Sequence, residues 1–182
     1  MGRLKQFMVA VEKTNTLIGK LLIWVNVLAI SVMTFEVVMR YLLNRPTIWA
    51  HDSMTLLYAI FYILAGGYAH LHHAHVRVDV LYSRWTEQTK AFMDIIMSVF
   101  FFLFSGVLLW TTWNFYWSSQ QMWATVTVFG VNLPGEVAAT PWEPPLFCVK
   151  FMMPLGALML LLQGIVWLIR DVNKVLNERG MR

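Results

Sequence analysis

The chain has 182 residues, 58% of them hydrophobic and only 13% charged, with a mean hydropathy of +0.58 and a formal net charge of +4. A soluble domain carries about 25% charged residues, so these values exclude an ordinary soluble protein and leave little chain for a soluble domain beside membrane spans. The positive balance does not mark nucleic-acid binding, because the cations stand in short flanks of apolar runs and build no basic face.

Residues 1–13 mix Arg3, Lys5 and Lys13 with Phe7, Met8, Val9 and Val11, a pattern that suits a short amphipathic helix on the cytoplasmic surface. The apolar run that follows is too long for the hydrophobic core of a secretory signal and leads into no small-x-small cleavage pattern, so it reads as a retained first span. That span covers about residues 17–43, with a capping residue available in Thr14-Asn15-Thr16 and a stop at Asn44-Arg45-Pro46. Glu36 and Arg40 near its far end are four apart, acid first, the favourable order for an ion pair on one helical face. Reversing either charge should weaken assembly, and exchanging the two should partly restore it.

A short connector with Trp49 as an interfacial anchor leads to span two, about 54–71, which Asp52 or Ser53 can cap. Gly66-Gly67 allow another helix to approach closely. The stretch from Gly66 to Trp85 is a polar hinge that carries His70, His72, His73, His75, Arg77, Asp79, Arg84 and Trp85, the residue mix of a membrane–water boundary. Span three, about 91–117, is Phe-rich and ends in the aromatic belt Trp110, Trp113, Tyr116 and Trp117. Residues 118–144 contain no Lys or Arg. Within them Ala124–Leu133 alternates as an extended strand does, and Pro134-Gly135, Pro141, Pro144 and Pro145 break regular structure. Span four, about 145–169, holds Lys150, Pro154 and Gln163-Gly164.

Together these spans predict an all-α membrane protein: one domain over residues 1–182, with four transmembrane helices. Eleven of the fourteen Lys and Arg residues fall on one side of that arrangement, leaving Arg40, Arg45 and Lys150 on the other. The positive-inside rule then puts both termini and the hinge in the cytoplasm and loop 118–144 in the periplasm.

The polar residues leave few chemical options. A zinc site needs about four ligands in fixed geometry, and four of the five histidines share one stretch with Asp79 as the only carboxylate nearby. They read as interfacial polar residues rather than metal or haem ligands. An intramembrane acid is a functional candidate, so Glu36 is either a proton-coupling group or half of a structural pair with Arg40. Lys150 either snorkels to the interface or pairs with Glu143 or a partner protein. The single Cys148 lies in an apolar run; it excludes an intrachain disulfide and reads as a buried, inert thiol. No GxGxxG, phosphate-binding glycine loop, HExxH or CxxC is present, so neither a catalytic residue nor a cofactor is assigned.

Several of these residues carry a resemblance. Glu36-x-x-x-Arg40-Tyr41, Asn44-Arg45-Pro46, Trp49, Gly67 and above all His75-Val76-Arg77-Val78-Asp79 resemble the small membrane subunit of tripartite ATP-independent periplasmic (TRAP) transporters, DctQ type. Lys150-x-x-x-Pro154-Leu155-Gly156 and Leu161-x-Gln163-Gly164 are similar to the fourth-helix pattern of its larger members. A departure falls at His51-Asp52, against the family pattern Trp-x-x-Glu, with Asp52 as the substitute acid. The resemblance implies a non-enzymatic inner-membrane scaffold that braces a much larger membrane subunit in contact with lipid. A periplasmic binding protein would deliver an organic acid, often a carboxylate, and the large subunit would move it on a sodium gradient. The partner-interface candidates are Glu36, Arg40, Trp49, Asp52, Gly67, His75, Arg77, Asp79, Lys150 and Gln163. A small proton-coupled multidrug exporter using Glu36, or a haem-binding membrane anchor of a redox enzyme, are the alternative readings of the residues.

Overall fold

The computed structural model describes residues 2–72, 86–121, 125–128 and 131–179. Four helices dominate them: α1 (Gly2–Tyr41), α2 (Trp49–Leu71), α3 (Glu87–Gln120) and α4 (Phe147–Arg179). Each contains a stretch long and apolar enough to cross a membrane. Between α3 and α4 lies a two-stranded antiparallel hairpin, β1 (Thr125–Val128) with β2 (Val131–Pro134), in the register Val128 opposite Val131 and Thr125 opposite Pro134. The alternation over Ala124–Leu133 thus becomes strand pairing. Pro134 is the last residue of its strand, which ends there as the sequence led one to expect, and Pro145 makes only an isolated antiparallel bridge to Val137.

The first helix runs unbroken for 40 residues, about 60 Å at 1.5 Å per residue, against a hydrocarbon layer of about 30 Å. The expected separate surface helix over residues 1–13 is instead the first turns of α1. No helix starts at Thr14-Asn15-Thr16. Thr14 and Thr16 donate to the carbonyls of Ala10 and Glu12, four residues back, which satisfies the hydroxyls inside a continuing helix. The far end closes as predicted. Asn44 takes a left-handed φ of 54°, and the Arg45 N–H reaches back to the Met39 carbonyl at 2.9 Å. The last turn is widened, with the Leu43 N–H on the Val38 carbonyl at 3.3 Å, the left-handed residue ends the helix, and Pro46 follows it.

The second helix begins at Trp49, after Ile48, with no side-chain cap. Asp52 and Ser53 therefore lie inside it rather than capping it, though Asp52 in the first turn still faces the positive end of the helix dipole. Helix α3 has the side-chain cap that α2 lacks: Thr86, in extended conformation, accepts from the Thr89 N–H.

Helix α4 is the hub. It packs against α3, α2 and, less, α1, while α1 packs mainly on α2. Of its apolar window 39% is buried, against 6–11% in the other three helices. Inside a bilayer, helices gain little from the hydrophobic effect and associate through close packing and interhelical hydrogen bonds. The packing core of Leu22, Leu64 and Met159 joins α1, α2 and α4. Gly156 brings α4 against the backbone of α2: a Cβ there would stand 2.8 Å from the Ile63 carbonyl oxygen. Gly164 receives the Phe101 ring of α3 in the same manner. Pro154 lies inside the continuous α4. Cys148, at the start of α4, is exposed rather than buried.

Candidate functional site

The predicted polar positions collect into three clusters. The first closes the α1–α2 connection. Glu36 is almost wholly covered although it lies near a helix end. Its Oε1 accepts from Arg40 Nε at 3.1 Å and Nη2 at 2.8 Å. Its Oε2 accepts from the Thr47 N–H at 3.2 Å and the Thr47 hydroxyl at 2.5 Å. Four donors thus converge on one carboxylate, and its lone pairs are close to saturated. The i,i+4 spacing supplied the Arg40 half. Thr47 was not identified from the sequence, because the contact needs the connector to fold back over eleven residues. Beside the cluster, Trp49 at the start of α2 stacks on Phe35 of α1 at 5.9 Å. Asp52 stands apart from Glu36 and keeps its buried Oδ2 without a hydrogen-bond partner.

The second cluster sits where α1, α2 and α4 meet. The fully buried Asn15 donates from Nδ2 to Oε1 of the fully buried Gln163 at 2.7 Å. Gly67 makes room for the pair: a Cβ there would lie 3.2 Å from Asn15 Oδ1 and 3.1 Å from Met159 Cβ. The structure therefore brings the candidates Gly67 and Gln163 together through Asn15, a residue that looked like a helix cap in the sequence. Nearer the chain termini an ion pair between Arg170 and Glu12 ties α4 to α1 again.

The third cluster anchors the α3–α4 connection. Lys150 pairs with Glu136, not with Glu143, and its ammonium lies 4.1 Å from the Phe115 ring centroid. Ser119, at the end of α3, donates to the same carboxylate oxygen at 3.0 Å. Hydrogen bonding from Lys150, then from Ser119, with the Lys150 charge, outweighs desolvation and holds the Glu136 carboxyl below its ordinary range. The Glu136 carbonyl also accepts from the Leu146 N–H at 2.9 Å, so one residue pins the base of the loop to both helices. Glu143 takes a left-handed φ of 47° in a turn and is exposed, which carries its side chain away from Lys150.

His75, Arg77 and Asp79 lie outside the described residues. Among the described residues, no group of three or more His, Cys, Asp or Glu side chains is placed to hold a metal ion. All three clusters fasten helices and connections to one another, which is the chemistry of assembly. Their motifs also coincide with a known pattern: the family model described as "Tripartite ATP-independent periplasmic transporters, DctQ component" matches residues 29–174. The chain belongs to the DctQ family. It is a membrane protein of the TRAP transporter small permease class, and the match takes in all four helices and all three clusters except the residues before position 29 and after position 174. The C4-dicarboxylate TRAP transporter small permease protein DctQ of Vibrio cholerae serotype O1 (strain ATCC 39315 / El Tor Inaba N16961) is 29% identical over 90 residues, 49% of this chain and 38% of that protein. The aligned stretch thus spans well under two thirds of that relative's length.

Proposed function

We propose that this DctQ-family chain is the non-transporting scaffold subunit of a sodium-driven TRAP importer. It would sit in the inner membrane with both termini cytoplasmic and brace a large membrane subunit. That subunit would receive an organic acid, of the carboxylate class, from a periplasmic binding protein. The observation that carries this reading is how the polar groups set into the helices are used. Glu36, Gln163 and Lys150 are each tied to neighbours in the same chain. The helices are unbroken, unlike the discontinuous helices that form transport sites in secondary transporters. Outward, the faces are apolar: Trp24 is 72% exposed and Trp110 is 71% exposed, surface fit for lipid or for another membrane subunit.

The four donors on Glu36 also weigh against the exporter reading, since a proton-coupling acid must release such partners in each cycle. The test is reconstitution. Vesicles holding this chain with its large subunit and binding protein should take up a carboxylate when a sodium gradient is imposed. Vesicles holding this chain alone should not, and sodium-driven uptake by the isolated chain would sink the proposal.

A further inference from the structure

Between α3 and α4, on the side of the chain termini, the two helices diverge around a cleft of about 280 Å³. Asp94, Met97, Ser98 and Phe101 line it from one face of α3, at the helical spacing that puts residues on one side. Gly164, Trp167, Leu168, Asp171 and Lys174 line it from α4, and His70 closes it from α2. The lining is graded. Phe101, stacked on His70 at 4.9 Å and seated over Gly164, forms an apolar inner end with Leu168. Asp94, Asp171 and Lys174 stand at the outer end. The sequence starts span three at about residue 91 and ends span four at about residue 169, so this polar mouth lies at headgroup depth.

We propose that the cleft binds the headgroup of a zwitterionic phospholipid bearing a primary amine, of the phosphatidylethanolamine class. Two carboxylates and one ammonium match a ligand that carries a cation and an anion a few bonds apart. The amine donates to Asp94 and Asp171, the phosphate accepts from Lys174, and the first methylenes of an acyl chain lie along Met97, Phe101 and Leu168. A purely anionic headgroup would meet two carboxylates; sites for such lipids are basic instead. His70, Asp94 and Asp171 already make contacts within the chain. A carboxylate offers about four acceptor positions, so the amine joins that network rather than replacing it.

The experiment is native mass spectrometry of the full-length chain in detergent, titrated with phosphatidylethanolamine, phosphatidylcholine and phosphatidylglycerol of identical acyl chains. The ethanolamine lipid should be retained with an apparent Kd lower by at least about tenfold, the worth of one charge-assisted hydrogen bond. The choline lipid has the same charges but no N–H to donate, so this comparison needs no variant. Combining Asp94→Asn with Asp171→Asn should erase the preference, while Lys174→Gln should weaken both zwitterionic lipids alike; circular dichroism checks that the variants stay helical. Equal retention of ethanolamine and choline lipids, a preference for the glycerol lipid, or a preference that survives in the folded double variant would overturn the proposal. So would exclusion of lipid from the cleft when the chain is purified with a partner subunit, because a protein group would then be its occupant.

Discussion

Glu36 shows how much one side chain can organise. Its Oε1 serves Arg40 and its Oε2 serves Thr47, so the end of α1 and the connector to α2 share one carboxylate. The ion pair was legible from the spacing of Glu36 and Arg40 alone, because an i,i+4 pair is a local fact of helix geometry. The Thr47 half was not, because it depends on where a loop returns. This changes what a charge exchange should do. Arginine has no acceptor, so Glu36→Arg combined with Arg40→Glu would restore opposite charges yet leave the Thr47 N–H facing a guanidinium, with only the hydroxyl able to turn and accept. The exchange is therefore expected to melt in detergent below the wild type, because the Thr47 N–H loses its carboxylate even where the ion pair is restored. Recovery of the wild-type melting temperature by the double variant would mean that Thr47 contributes nothing. Asn15 makes the same point. A polar residue between two threonines reads as a helix cap in the sequence, and only the approach of α4 makes it a partner of Gln163.

At the level of helices and loops, two glycines, Gly66 in α2 and Gly156 in α4, separate propensity from packing. A Cβ on Gly66 would meet nothing within 4 Å, whereas one on Gly156 would meet the Ile63 backbone at 2.8 Å. Gly66→Ala should therefore be neutral or gain up to about 1 kcal/mol from helix propensity. Gly156→Ala should lose about 1–3 kcal/mol, since a backbone carbonyl cannot rotate away from an overpacked contact. Unfolding of the detergent-solubilised chain measures both, and the reverse order would contradict the packing of α2 on α4. The sequence pointed to Gly66-Gly67 together; which of the two meets a neighbour depends on helix rotation, which periodicity leaves open when all faces are apolar.

The loop clasp adds a pH dependence of definite sign. The Glu136 carboxyl titrates below its usual value of 4.5 in the folded chain, chiefly through its bonds to Lys150 and Ser119. Its contribution is thus fully present above the unfolded value and is lost as pH falls through the folded one. Between pH 6 and pH 3 the wild type should lose thermal stability more steeply than Glu136→Gln. Parallel slopes for the two proteins would remove Glu136 from the account.

For the whole molecule, the two ends of the bundle differ in kind, and the difference bears on how it sits in the membrane. One end has the fasteners of the connections: Glu36 with Thr47, and Glu136 with Ser119 and Lys150. The other end has the chain termini, the Arg170–Glu12 pair and most of the cations. Cations near the ends of spans are retained in the cytoplasm during insertion, so the end bearing the termini should face inward. The long α1 makes the claim testable at well-separated sites on a Cys148→Ala background. Lys5 and Ser118 are both exposed and lie at opposite ends of the bundle. A cysteine replacing Ser118 should react in intact cells with a membrane-impermeant maleimide. One replacing Lys5 should react only after the inner membrane is breached. The opposite pattern would invert the molecule and put the Glu36 and Glu136 clasps in the cytoplasm, out of reach of any periplasmic binding protein.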